Sequence, residues 1–294
     1  MNKGVWYGIA AQVVWGLSPI YWKQLDHLPA TALISYRILW SFPLLAGLTW
    51  LASRRSDDLR EVPSVRVLLV YAVAATLLSV NWLIYVWAVT TGFIVEASLG
   101  YFITPLVSVA LGVLILRERL RPGQWVAVGL ASMGLIYLTV SLGGLPWIAL
   151  VLAGTFGVYG LVKKRAPLGS VQGLTAETGV LFLPAAALLF WAPDGTSTGS
   201  LDSGARLLLG GTGVLTVLPL LLFTMSVRRI PLSHLGIIQY LAPTLQFLLG
   251  VLLYGEPMSR TQLGGYGLVW AALIVFGAEG LYTQRAQAQS SAET

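Results

Sequence analysis

Arg37 stands inside a long apolar run, Ala30–Ala52, where a full positive charge is costly unless something answers it. A guanidinium in that setting can bind an anion, take part in a charge switch, or lock helices together by pairing with a carboxylate. Two carboxylates are the expected partners. Glu177 occupies nearly the matching position of a later apolar run, and Glu96 lies at the outer end of another. His234 opens a further run, near the position equivalent to Glu96. Imidazole titrates nearest neutrality, so both are candidates for gating, with helix capping as the structural alternative for the histidine. Arg37, Glu96, Glu177 and His234 therefore form the expected gating or charge-coupling set.

A second group could hold a small solute. Asn81 and Tyr85 are four residues apart and share one face of a helix. With Trp82 beside them, they could stack a planar molecule and fix its polar atoms. Trp87, closer to the end of its run, reads instead as an interface anchor. Tyr101 precedes Pro105, and Gln239 and Tyr240 precede Pro243, at depths taken as equivalent in two halves of the chain. The expected substrate-binding residues are Asn81, Tyr85, Tyr101, Gln239 and Tyr240.

Other chemistry is missing. There is no cysteine, which excludes thiol catalysis, disulfides and thiolate metal sites. The two histidines, His27 and His234, are far apart, so no metal is expected. Neither Ser-x-x-Lys nor His-Glu-x-x-His occurs, and the glycine clusters Gly154–Gly160 and Gly210–Gly213 lack the preceding strand and following Gly-Lys of a phosphate loop. No enzyme activity and no cofactor are expected.

The elements that must position these residues are membrane helices. Hydrophobic residues make up 56% of the 294 and charged residues only 10%, against about 25% charged in a soluble domain. Ten continuous apolar runs are long enough to span a bilayer: Gly4–Trp22, Ala30–Ala52, Val67–Val89, Ala97–Leu116, Trp125–Leu142, Pro146–Val162, Val171–Trp191, Leu207–Val227, Leu232–Tyr254 and Thr261–Tyr282. They do not alternate as barrel strands would. The first run lacks a cleavage site and is expected to be retained. The net charge of +6 sits in short loops, which argues against nucleic acid. With the N-terminus in the cytoplasm, 14 of the 18 lysines and arginines fall on the inner side.

A repeat then gives the runs an order. Pro105-x6-Gly112-Val113-Leu114-x3-Glu118 recurs as Pro243-x6-Gly250-Val251-Leu252-x3-Glu256, 138 residues later. Trp15-Gly16-x6-Lys23 is echoed by Phe156-Gly157-x6-Lys164, and Pro43 by Pro184. Five spans separate the copies. Five is odd, so the second half must run the other way. The expected fold is all-α and integral to the membrane, with ten transmembrane helices as two inverted five-helix repeats. The expected units are 1–143 and 144–284, followed by a polar cytoplasmic tail, 285–294. Such pairs of inverted repeats commonly build a site near the midplane and work by alternating access.

Several stretches carry a family resemblance. They are Trp15–Lys23 (WGLSPIYWK), Tyr36–Ser41 (YRILWS), Asn81–Val89 (NWLIYVWAV), Glu96–Ile103 (EASLGYFI), Tyr159–Lys164 (YGLVKK), Gln239–Leu245 (QYLAPTL) and Tyr282–Arg285 (YTQR). Together they resemble the drug/metabolite transporter superfamily, in its EamA branch, and more closely the RarD family, whose founding member is called a chloramphenicol-sensitivity protein. The resemblance implies a permease of a bacterial inner membrane, an exporter of small metabolites or drug-like compounds. The four-span multidrug relatives carry a glutamate eight residues before a lysine. Aligning on Lys23 puts Trp15 there, so that proton-coupling carboxylate does not carry over.

The expected function is secondary active transport around a central cavity. A facilitative channel or uniporter is the alternative. A sensor or scaffold would need a soluble domain or long charged tail. The expected partners are a small-molecule substrate and the lipid bilayer, with protons as the candidate coupling ion and a monomer or weak homodimer as the assembly state.

Overall fold

The computed structural model describes residues 3–25, 28–54, 64–91, 93–141, 147–191, 203–255 and 260–292. The described residues are almost entirely helical. The elements are α1 (Lys3–Trp22), α2 (Ala30–Ser53), α3 (Val65–Thr90), α4 (Ile94–Leu114), α5 (Pro122–Ser141), α6 (Trp147–Arg165), α7 (Ser170–Trp191), α8 (Ser203–Val227), α9 (Leu232–Gln239), α10 (Leu241–Leu248) and α11 (Arg260–Ala292). A π turn, Leu249–Leu253, prolongs α10, so that α9, α10 and this turn form the ninth span. The ten expected runs are thus ten helical spans. By length and composition, eight are apolar enough to cross a membrane, and α4 supplies the shorter stretch Leu99–Leu114.

In lipid each span must satisfy its own backbone, and helices do so. Side-chain hydroxyls follow the same rule locally. Ser35, Thr104 and Thr178 each donate to the carbonyl four residues earlier, at Thr31, Gly100 and Leu174. The surface left over is apolar, with Leu183, Phe190, Leu207 and Ile274 turned outward.

The packing has a two-fold logic. The fourth span packs on the sixth and ninth, the first on the eighth and ninth, and the third on the sixth and seventh. The second packs on the seventh and eighth, and the fifth on the tenth. Exchanging each span for the one five later turns every pairing into itself or another in this set. Close approaches repeat in the same way. A Cβ on Gly16 would come within 2.7 Å of Leu245, and one on Gly157 within 2.6 Å of Val107. These two contacts are the echoed Trp-Gly and Phe-Gly motifs meeting the ninth and fourth spans.

The repeated Pro-x6-Gly-Val-Leu-x3-Glu folds alike in both halves. Leu116 N–H donates to Leu111 C=O at 3.2 Å, and Tyr254 N–H to Leu249 C=O at 3.1 Å, both wide five-residue bonds. The next residue turns left-handed in each case, Arg117 at φ 55° and Gly255 at φ 65°. Glu118 N–H then closes on Gly112 C=O at 3.0 Å, a Schellman-type ending. The cost of a left-handed arginine is offset by the bonds that the neighbouring glutamate gains. The turn swings the Glu118 carboxylate onto the start of α9, where it accepts from Leu232 N–H (2.7 Å), Ser233 N–H (2.8 Å) and Ser233 Oγ (2.7 Å). Lys164 Nζ lies 3.7 Å away. At the end of its own helix Glu118 would oppose the helix dipole, but at the N-terminus of α9 it satisfies orphan donors and complements the dipole. Glu256, its repeat partner, lies outside the described residues.

Burial works to raise the Glu118 pKa. The bonds from Ser233 and Leu232 and the Lys164 charge outweigh it and hold the carboxyl below the ordinary carboxylate value. The stabilisation is therefore full above that ordinary value, about 4.3, and is lost as pH falls from there through the lower native pKa. Thermal unfolding in detergent should fall off in that acid window for the native chain. Glu118→Gln should flatten the dependence and cost about 1–3 kcal/mol at neutral pH. An unchanged acid profile in Glu118→Gln would contradict this role.

Candidate functional site

The interior is stacked in layers between two faces. The first face carries the starts of α1, α3, α5, α7 and α9, and the second carries the starts of α2, α4, α6 and α8. Side-chain bonds across the spans keep this order. Ser226 Oγ at the end of α8 donates to Gly4 C=O at the start of α1, 2.7 Å away. The Tyr21 hydroxyl at the end of α1 donates to Leu208 C=O at the start of α8.

Toward the second face, Arg37 projects from α2 between aromatic rings. Its guanidinium carbon lies 4.9 Å from the Trp22 ring centre and 4.7 Å from that of Trp82. Its Nε donates to Thr216 Oγ1 at 3.0 Å. Thr216 is held as an acceptor, since its own hydroxyl donates to Thr212 C=O at 2.8 Å. The Tyr85 and Tyr101 hydroxyls hydrogen-bond each other within reach of the Arg37 charge. Their rings meet edge-on at 5.7 Å. Tyr85 and Tyr101 keep 37% and 41% of their surface exposed, and Arg37 is half-buried. Among the described residues no carboxylate lies within ion-pair distance of Arg37.

Below this layer, aromatic rings close the centre. Trp15 meets Phe156 at 5.9 Å and Phe223 at 5.7 Å, and Phe156 meets Phe223 at 5.3 Å. Trp15 and Phe156 are equivalent residues of the two halves, so the halves touch here through their own counterparts. Tyr159 stacks on Phe223 and donates its hydroxyl to Glu177 Oε2 at 3.1 Å. The other Glu177 oxygen takes the Lys163 ammonium, both side chains being 1% exposed. Tyr71 covers Lys163, with its ring centre 5.4 Å from the ammonium. This ion pair seals the first-face end.

The expected residues divide between these layers and the scaffold. Tyr85, Tyr101 and Arg37 come together. The expectation that Arg37 pairs with Glu177 is corrected. Each stands in the second turn of its helix, but the helices enter from opposite faces, and Glu177 is neutralised by Lys163 instead. Lys163 itself, read from sequence as a loop charge, is buried. Asn81 turns its amide to α6, donating to Leu152 C=O at 2.8 Å and Thr155 Oγ1 at 2.9 Å. Gln239 accepts from Ser108 Oγ at 2.9 Å and ties α9 to α4. Neither amide faces Arg37.

Tyr240 needs a further correction. Counted from the prolines, Tyr101 matches Gln239, and Phe102 matches Tyr240. One residue is about 100° of helix, so Tyr240 points away from the site. It is fully buried with Phe102, Ala127 and Ala131 against Val269 and Ala272. Its hydroxyl has no partner among the described residues. His234 lies at the first face, 2.9 Å from Gln124 Nε2, in the neighbourhood of Arg121, Glu118, Glu279 and Lys164. Glu96 is on α4, and its side chain lies outside the described residues. Trp87 stacks with Phe93 and meets Trp147 at 5.7 Å near the second face, as an anchor would. Sequence reasoning missed Trp22, Thr216, Lys163 and Tyr159 as members of these layers. A signal existed for Lys163, because it stands 141 residues after Trp22, itself next to the echoed lysine.

Known proteins support the same family. The EamA-like transporter family matches residues 2–140 and again 144–278. Protein RarD of Streptomyces exfoliatus is 46% identical over 97% of this chain and 91% of its own length. The uncharacterized transporter YojE of Bacillus subtilis (strain 168) is 42% identical over 94% of this chain and 93% of its own. One solved crystal structure, 17% identical, covers 93% of this chain and 96% of its own at a TM-score of 0.67, a likeness of fold. The chain is therefore a multi-pass membrane protein of the EamA-like transporter family, and a RarD-type member of it.

Proposed function

We propose that this protein is a secondary active exporter of small metabolites or drug-like compounds, working by alternating access between two inverted repeats, 1–143 and 144–284, in a bacterial inner membrane. The observation that carries the reading is the contrast between the two ends of the interior. The first-face end is closed by the Lys163–Glu177–Tyr159 cluster and the ring layer above it. The second-face end leaves Tyr85 and Tyr101 exposed around Arg37. The basic loops favour a cytoplasmic first face, which makes this an outward-open arrangement.

The pseudo-symmetry suggests how the other state forms. Lys163 is the counterpart of Trp22, and Glu177 stands within one residue of the counterpart of Arg37. The ion pair that shuts the first face thus corresponds to the Arg37–Trp22 contact at the second. Exchanging the conformations of the two halves would tighten the second contact and part the first. Parting a buried ion pair is costly, so a gradient of ions or of solute is required to drive the cycle, and protons are the candidate ion.

Proteoliposomes should show solute flux that saturates and is faster than in empty vesicles, with phenicols and amino acids as the first panel. Flux at a channel's rate would favour the facilitative alternative, and no flux under any gradient would sink the proposal. Replacing Lys163 by Met alone, or Glu177 by Leu alone, should destabilise by about 3–5 kcal/mol, because each leaves a buried charge unmatched. The double replacement should recover most of that stability. If the pair is the inner gate, the double variant should also change the flux rate. Restored stability with unaltered flux would make the pair structural only.

A further inference from the structure

We infer that Arg37 is an anion-binding group, and that the solute class taken at this site is a monocarboxylate on a planar apolar body. This rests on the transport reading for its purpose, and on the geometry around Arg37 for its chemistry.

A guanidinium has five N–H donors. Only Nε–H is given to the protein, to Thr216, and that bond fixes the plane of the fork. The Nη donors have no acceptor among the described residues. They are the pair that matches the two oxygens of a carboxylate. The other groups around the guanidinium are rings and phenols: Trp22 and Trp82 on its faces, with Tyr85 and Tyr101 beside it. Cation–π contacts keep a cation in a poorly hydrated place without consuming its N–H donors. A charge so placed without a counter-ion is costly within a membrane, and an entering anion removes that cost.

The surroundings limit which anion. One positive charge, with neutral phenols as the other donors, matches one negative charge. A dianion would bring a second charge with nothing opposite it. An ammonium on the solute would likewise find no carboxylate among the described residues here. The ring faces of Trp22, Trp82, Tyr85 and Tyr101 suit a flat apolar body adjoining the acid.

The test uses purified full-length protein in lipid-free detergent, so that anionic headgroups are not the source of binding. Thermal stabilisation is measured with benzoate, cinnamate and indole-3-carboxylate, each beside its uncharged amide. The acids should bind roughly tenfold to a hundredfold more tightly than their amides. Arg37→Gln should abolish that preference and leave amide binding within about twofold. Arg37→Lys keeps the charge but not the fork, and should retain part of the preference. It also serves if the glutamine variant folds poorly. Equal binding of acids and amides by the native protein overturns the inference, as does a preference that survives in Arg37→Gln. Failure of all acids to bind overturns it too, even where a neutral phenicol is transported, in which case the transport reading still stands. Binding of acids without flux of any solute keeps the anion site and removes the transport reading.

Discussion

In two halves that run in opposite directions, equivalent residues cannot meet unless they lie near the midplane. That constraint organises this protein. Trp15 and Phe156, equivalent and central, are in ring contact. Phe102 and Tyr240, equivalent and on the fourth and ninth spans, lie 6.5 Å apart. Arg37 and Glu177, also near-equivalent but in the second turn of their helices, are held toward opposite faces. Each therefore had to find a different answer to its charge. Glu177 is matched by a buried lysine and a tyrosine hydroxyl. Arg37 is matched by ring faces, one threonine and partial access to water.

The difference between those two answers is what gives the molecule its polarity. A fully satisfied buried ion pair is hard to enter and hard to part. A cation held on aromatic faces has spare donors and can accept a ligand. One end of the interior is therefore a seal, and the other is a candidate site. The ring layer of Trp15, Phe156, Phe223 and Tyr159 between them keeps water from bridging the two. The scaffold around these layers is fixed by bonds that do not reach the site: Asn81 to α6, Gln239 to Ser108, and Glu118 to the start of α9.

Much of this was legible in the chain. The apolar runs define all ten spans to within a few residues, because a membrane span has a length imposed from outside. The repeated Pro-x6-Gly-Val-Leu-x3-Glu proved to encode a wide helical turn and a left-handed residue in both halves, so its recurrence reflects backbone geometry. The site was less legible for three physical reasons. A motif shift of one residue rotates a side chain by about 100°, which took Tyr240 away from Tyr101. An inverted repeat carries equivalent charges to opposite faces, which separated Arg37 from Glu177. A lysine at the end of a span looks the same in sequence whether it snorkels to water or turns inward, as Lys163 does.

The most direct test of the account is thiol accessibility, which the absence of native cysteine makes clean. Single cysteines are placed at Tyr101, in the exposed layer, and at Thr178, beside the sealed pair. A membrane-impermeant maleimide applied outside intact cells should label Tyr101→Cys, while Thr178→Cys resists the reagent from either side. Addition of a transported solute should protect the first and open the second to the cytoplasmic side. Labelling of both positions at once, or a Thr178→Cys that stays closed while solute is moving, would contradict alternating access.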